Sequence, residues 1–287
     1  MFFVPDSFID NLVGEDLHIL DVTTEAMGIG DLKGSVECFP KRECVVAGIE
    51  EAVRAFERFG SRVECTAKSG DRLEAGTVFM RAFGTAGRLH AVYKTAQNIM
   101  EYSSGIATRC AELLRNARSV SPTVELFVTR KHFPGAKLLS LKAALAGGAA
   151  AHRLGLSDSI LVFDQHRIFT DNFPTLLKKM AARFPEKKIA VEAGSVEEAL
   201  AFAEAGADIV QCERFSYSDL TVLAAKLRAE KPGVRILAAG GINAENSREY
   251  AATGVDALVT SWVYFGKPED IKMKFSNQVE IKSLKSN

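Results

Sequence analysis

The stretch LFVTRKHFPG places two adjacent cations, Arg130 and Lys131, directly after an apolar run, and Pro134 and Gly135 then break the chain. Arginine grips a carboxylate or phosphate with two parallel hydrogen bonds and lysine adds a compact point charge, so the pair suits a ligand with several oxyanions. Similar polar tips follow other apolar runs. SILVF is followed by Asp164 and His166, KIAV by Glu192, DIVQC by Glu213 and Arg214, RILAA by Gly240 and Gly241, and DALV by Thr260 and Ser261. AHRLG contributes His152 and Arg153 at the end of a helical stretch. Cations would hold phosphate or carboxylate. Glu192 and Glu213 suit one Mg ion, a hard cation that prefers oxygen and is shared with substrate phosphates. Gly240 and Gly241, read as opening a helix, would offer bare amides to a phosphate. The ligand these residue types describe is a polyanion such as a phosphorylated sugar. Each also has a plainer alternative: Arg130 and Lys131 as solvated surface cations, Glu192 and Glu213 as partners of ion pairs with Arg214, His152 as a core histidine bonded to a carbonyl.

These residues meet only if the runs are neighbouring strands. From about Val124 the chain repeats one unit, a short β-branched run, a turn, and a helix with apolar residues three and four apart. Six runs, VELFVT, SILVF, KIAVE, DIVQC, RILAAG and DALVTS, alternate with stretches such as GAKLLSLKAALAGGAAAHRL, NFPTLLKKMAARF, SVEEALAFAEA and LTVLAAKLRAE. That alternation predicts a parallel sheet. The runs are apolar throughout, so both faces are covered, one by helices and the other by a closed or nearly closed barrel interior. A (β/α) barrel gathers the strand ends at one mouth. No G-x-G-x-x-G follows the first strand, which argues against a dinucleotide-binding sheet.

Residues 1 to about 108 read differently. ECVVAGIEEAVRAFERFG is helical, SRVECTAKSGDRLEAGTVFMRAFG has the glycines and alternation of a small β-rich module, and LHAVYKTAQNIMEYSSGIATRCAELLRNA is helical again. IKMKFSNQVEI alternates like an edge strand returning to that module. The expected division is an α+β domain of residues 1–108 plus 269–287, and a barrel of residues 109–268.

Lys and Arg together number 36, as do Asp and Glu, so the net charge is zero and no bulk field draws nucleic acid or an anionic membrane. Five cysteines without a C-x-x-C pair indicate neither a disulfide framework nor a zinc knuckle, and fit reduced thiols in cytoplasm. Pro5 and Asp6 interrupt the apolar start where a signal peptide needs continuity, and no later run reaches membrane-spanning length.

TRKHFPGAKLLSLKAALAGGAAAHRLGLSDSILVFDQH resembles the signature stretch of quinolinate phosphoribosyltransferases, the nicotinate-nucleotide pyrophosphorylases (carboxylating). The resemblance extends through LDVTT, NIMEYSSGIAT, VEAGSVEEALAFAEAGADIV and AAGGI. It implies an incomplete (β/α) barrel with a smaller amino-terminal domain, Mg-dependent transfer of phosphoribose from phosphoribosyl pyrophosphate, and a homodimer or higher oligomer with sites at the subunit boundary. By position, Arg130, His152 and Arg153 would grip the acceptor's carboxylates and Lys131 would touch both ligands. Glu192 and Glu213 would face the ribose and Mg-pyrophosphate. Gly240 and Gly241 would cradle the 5'-phosphate, and Lys94 stands where the partner subunit usually offers arginine. No protein nucleophile is required.

The departures from that family gather on ligand positions. Phe163 stands where quinolinate enzymes have lysine, Glu213 where they have aspartate, Ala239 where they have serine, and Ser261 where they have glycine. A carboxylate buried against Phe163 would lack its cation, which is costly. These changes, with the ending ALVTSWVYFGKPEDIKMKF, resemble the ModD subgroup associated with molybdenum utilisation. The implied function is phosphoribosyl transfer to an acceptor with fewer carboxylates than quinolinate or none. Two alternatives stand beside it: a true quinolinate enzyme of NAD synthesis, and a non-catalytic protein that binds a phosphorylated metabolite or oxyanion.

Overall fold

A computed structural model of the chain describes residues 2–277. They form two compact units: one comprises the chain up to Thr108, Pro134–Gly147 and the stretch from Gly266; the other comprises Arg109–Phe133 and Gly148–Phe265.

The first unit carries α1 (Asp6–Leu17), α2 (Val22–Ala26), β1 (Lys33–Pro40), β2 (Cys44–Val45), α3 (Ile49–Arg58), β3 (Arg62–Cys65), β4 (Arg72–Leu73) and β5 (Met80–Thr85). A 33-residue helix, α4 (Ala86–Arg118), begins in this unit, and α5 (Lys137–Ala146) belongs to it. No described helix is long and apolar enough to cross a membrane. Alternation along β1 buries Val36 and Cys38 against Ile49, Phe56, Leu89 and Val92, so one sheet face supplies the core. The helical expectation for ECVVAGIEEAVRAFERFG holds from Ile49 only, because Cys44 and Val45 pair with Leu73 and Arg72 as a short ladder.

In the second unit a seven-stranded sheet runs in the order β7 (Ala150–Ala151), β6 (Glu125–Val128), β12 (Ala257–Thr260), β11 (Arg235–Ala239), β10 (Ile209–Glu213), β9 (Ile189–Ala193) and β8 (Ile160–Val162). Every neighbouring pair is parallel. The connecting helices are α6 (Asp164–Arg167), α7 (Phe173–Arg183), α8 (Val196–Glu204), α9 (Tyr217–Glu230) and α10 (Ser247–Ala252). Side chains of Asn172, Ser195 and Ser216 accept from backbone N–H groups at the starts of α7, α8 and α9, satisfying donors that helix starts leave over. The last strand, β13 (Ile271–Asn277), lies in the first unit and pairs antiparallel with β1 from Gly34↔Asn277 to Pro40↔Ile271. The rest of the segment read as a returning edge strand, 278–281, lies outside the described residues, as do 282–287.

The barrel is incomplete for a reason local to the chain. β7 and β8 are the two sheet edges, and only residues 152–159 join them, with no helix. A parallel crossover between paired strands takes a dozen or more residues, so these strands cannot close the barrel. Six strands and a helix reaching AHRL were expected here. Instead α5 stops at Ala146, Gly148 takes a left-handed φ of 88°, and Ala150–Ala151 pair with Phe127–Val128. His152 and Arg153 therefore follow a seventh strand, not a helix.

Candidate active site

At the carboxyl ends of these strands lies a cavity of about 690 Å³. Arg130 and Lys131 enter it after β6, His152 and Arg153 after β7, Phe163 after β8, Glu192 from β9, Glu213 from β10, Ala239, Gly240 and Gly241 at β11, and Ser261 after β12. Residues spread over more than a hundred positions thus share one mouth because parallel strands all point the same way. Lys94 is on α4 in the first unit, where its Nζ donates to Gln97 Oε1 at 2.9 Å and lies 5.1 Å from the Tyr93 ring centroid.

Of two further strand-end candidates, His166 caps the start of α6 and Asp164 is engaged in an ion pair with Arg167 instead. Phe163 is the residue before α6, and its N–H donates to His166 Nδ1 at 3.0 Å. The two rings stack at 5.8 Å with an 18° interplanar angle. Asp164 pairs with Arg167, which also donates to Glu198 at 3.2 Å. Their neighbour Gln165 lines the cavity.

The charges are unevenly compensated. Arg153 is buried at 8% exposure, and neither it nor Arg130 has an acidic partner among the described residues. Burial, and then the charge of Arg130, lower the pKa of Arg153. Its guanidinium carbon lies 5.8 Å from the Phe163 ring centroid. On the other wall, burial and then the charge of Glu213 hold the Glu192 carboxyl above the usual carboxylate range, although Gln211 Nε2 donates to its Oε2 at 3.1 Å. Such a pair of carboxylates is relieved by a cation. Arg214, held at φ 58°, has its Nε 3.7 Å from Glu213 Oε1.

His152 is kept neutral by burial and by Arg153, which lower its pKa from 6.5 against an opposing contact from Gln211. The unfolded chain then binds the proton more readily than the folded one, so this residue's contribution to stability is full above pH 6.5 and is lost as pH falls below it. We expect His152→Gln to flatten the acid side of the denaturant-unfolding profile below pH 6.5. An unchanged slope in the variant would show that His152 does not carry it.

The glycine pair is placed differently from expectation. Gly240 and Gly241 have φ of 92° and 75°, but α10 starts only at Ser247, so they do not open a helix. The intervening loop is tied by Asn243 N–H to Asn246 Oδ1 at 2.9 Å and by Asn246 Nδ2 to the Gly241 carbonyl at 3.1 Å. Among the described residues no protein acceptor takes the N–H of either glycine, so the amides remain available to an anion without help from a helix dipole.

Gln211, Trp262 and Phe265 also line the cavity and were not singled out in the sequence. A strand period of two puts Gln211 on the face of Glu213, which is the signal that would have found it. Trp262 and Phe265 sit on and after a 3-10 turn (Trp262–Tyr264), where no periodicity marks direction. Among the described residues no group of three or more His, Cys, Asp or Glu side chains could hold a metal. Glu192 and Glu213 alone fit Mg only as a shared ion, since Mg retains waters and takes much of its coordination from substrate phosphates.

A parallel half-barrel with bare amides, unpaired cations and twin acids at its mouth is equipped to hold a substrate carrying several phosphate or carboxylate groups. The chain belongs to the quinolinate phosphoribosyl transferase family: the C-terminal domain of that family matches residues 106–274 and its N-terminal domain residues 21–104. ModD of Pasteurella multocida, named as a pyrophosphorylase, is 31% identical over 97% of this chain and 100% of its own length. ModD of Rhodobacter capsulatus, similarly named, is 37% identical over 86% of this chain and 96% of its own. The nicotinate-nucleotide pyrophosphorylase (carboxylating) of Rattus norvegicus is 30% identical over 80% and 77%. Among solved structures, NadC from Streptococcus pyogenes superposes with a TM-score of 0.87 at 26% identity, covering 95% of this chain and 96% of that one.

Proposed function

We propose that this enzyme transfers phosphoribose from phosphoribosyl pyrophosphate to a ring nitrogen of a small acceptor bearing fewer carboxylates than quinolinate. The observation that carries this is Arg153, buried without an acid beside an equally unpaired Arg130 and against the apolar face of Phe163. Two cations call for an anion, while Phe163 supplies nothing for a second buried carboxylate.

In the reaction the bond from the anomeric carbon to pyrophosphate breaks, the acceptor nitrogen's lone pair forms the new carbon–nitrogen bond, and pyrophosphate leaves with the electron pair. Positive charge develops on the ribose meanwhile. Glu192 and Glu213 face that charge, Lys131 attracts the departing phosphates, and the Gly240 and Gly241 amides hold the 5'-phosphate. A Mg ion shared by these acids and the pyrophosphate would neutralise the leaving group. Lys94, as the family resemblance implies, would reach the site of the other subunit in a homodimer. The five free cysteines suit a reducing cytoplasm. The link to molybdenum utilisation that the ModD resemblance implies is part of this proposal.

A true quinolinate enzyme making nicotinate mononucleotide is favoured by one specific set of residues, Arg130, Lys131, His152 and Arg153 on one wall of the cavity. Calorimetry separates the two. We expect phosphoribosyl pyrophosphate with Mg to bind and quinolinate to bind weakly. Tight quinolinate binding with release of carbon dioxide would establish the quinolinate enzyme, and no response to the sugar pyrophosphate would overturn both. Pyrophosphate release with any heterocyclic acceptor would exclude a binding-only protein.

A further inference from the structure

Arg214 has a positive φ that the fold alone does not explain. Among the described residues two non-glycine residues have φ above zero, His18 at 52° and Arg214 at 58°. His18 is where α1 stops, and helices commonly end on a residue of positive φ. Arg214 instead stands between the end of β10 and Ser216, the residue before α9. A turn that needed only this backbone conformation would carry glycine, asparagine or aspartate. A long cationic residue in it is strained, and strain of this kind gathers at ligand sites.

The backbone fixes where the side chain goes. Arg214 N–H donates to the Ala239 carbonyl at 2.8 Å, which ties the turn after β10 to the end of β11. The stem then crosses the bare face of Gly240, because a Cβ on that glycine would lie 2.5 Å from Arg214 Cγ. Gly240 and Gly241 offer amides that no described residue takes, and Arg214 lines the same cavity. Its head is not consumed locally. The acid beside it is Glu213, whose Oε1 is 3.7 Å from Nε, too long for a hydrogen bond, and the arginine side chain is 83% exposed. A fork of five donors thus stands beside two uncovered amides. Glu213 would repel an anion arriving there, and the guanidinium offsets that repulsion. Donors converging from two amides and a fork suit a phosphate, which has three terminal oxygens to share among them, better than a carboxylate, which has two.

We propose that Arg214 is a specificity-determining residue of the donor subsite: its guanidinium holds the 5'-phosphate of the sugar together with the Gly240 and Gly241 amides. This rests on the phosphoribosyl-transfer function proposed above. The sugar phosphate is then read by a side chain as well as by backbone, and the glycine at 240 serves two ends, leaving an amide open and leaving room for the arginine stem.

The test is calorimetric titration of wild type, Arg214→Asn and Arg214→Lys with ribose 5-phosphate and, separately, with Mg-pyrophosphate; wild type is also titrated with phosphoribosyl pyrophosphate, and melting temperatures are measured alongside. We expect Arg214→Asn to bind ribose 5-phosphate about tenfold more weakly, the share of one charge-assisted contact, and Mg-pyrophosphate within about twofold of wild type. Asparagine tolerates a positive φ, so this variant should melt no lower than wild type, and its lost affinity then does not come from a disturbed turn. Arg214→Lys, which keeps the charge without the fork, should fall between the two in ribose 5-phosphate affinity. Unchanged ribose 5-phosphate affinity in Arg214→Asn overturns the proposal. So does an equal loss for both ligands, which would make Arg214 a partner of Glu213 and not a phosphate ligand. A wild type that binds neither ribose 5-phosphate nor phosphoribosyl pyrophosphate would instead defeat the transferase function itself.

Discussion

Gly240→Ala should weaken phosphoribosyl pyrophosphate binding by roughly a hundredfold or more, because each hydrogen bond to a charged phosphate contributes about 1.5–3 kcal/mol and the loop presenting two amides would shift. A Cβ at Gly240 would stand 2.5 Å from Arg214 Cγ, 2.7 Å from Glu213 Oε1 and 2.9 Å from the Arg214 backbone nitrogen. The arginine side chain can swing away; the backbone nitrogen cannot, since its N–H is bonded to the Ala239 carbonyl at 2.8 Å. The φ of 92° adds strain of about 1–3 kcal/mol for any other residue. Gly241 provides the comparison. Its φ of 75° carries a similar backbone cost, yet a Cβ there meets nothing within 4 Å. Gly241→Ala should therefore lower the melting temperature with a smaller loss of donor affinity. Calorimetric titration of both variants checks the order, and equal affinities would mean that the close approach of Gly240 to Glu213 and Arg214 is unimportant.

The same glycine pair illustrates what a sequence exposes and what it hides. The uncovered amides of the pair at the end of RILAAG were legible, because a strand followed by glycines leaves its last N–H groups without a partner. Its distance from the next helix was not, because Asn243 and Asn246 build a hydrogen-bonded loop that looks like a helix start on paper. The six long apolar runs were readable for a simple reason: strands covered on both faces have no polar alternation to obscure them. β7 was missed because two alanines carry no β signal, and only pairing with Phe127 and Val128 makes them a strand. Asp164 and His166 were misread for a related reason. A polar residue after a strand can face the mouth or be used locally, and here His166 accepts from Phe163 N–H while Asp164 pairs with Arg167. Gln211 has the clearest missed signal, being two residues from Glu213 on one strand.

Phe163→Lys should convert the acceptor preference, tightening quinolinate binding by about tenfold to a hundredfold, the equivalent of one charge-assisted hydrogen bond of about 1.5–3 kcal/mol. The side chain at this position lies within the same cavity as Arg130, Arg153 and His152, so a lysine there completes a set of cations for a second carboxylate. The substitution has a cost without ligand. It removes the ring that lies 5.8 Å from the Arg153 guanidinium carbon and stacks on His166, and it sets a third positive charge near two unpaired arginines. The free variant should accordingly be less stable than the parent and should recover stability when quinolinate is added, since a ligand that binds only the folded state stabilises it by mass action. Phe163→Met separates charge from lost stacking, because it removes the ring without adding a cation and should leave quinolinate binding weak. Isothermal titration with quinolinate across the three proteins, in the presence of Mg and pyrophosphate, is the measurement. If Phe163→Lys binds quinolinate no better than Phe163→Met, the acceptor's second carboxylate is not what Phe163 excludes, and the apolar wall of this cavity selects for ring shape rather than charge.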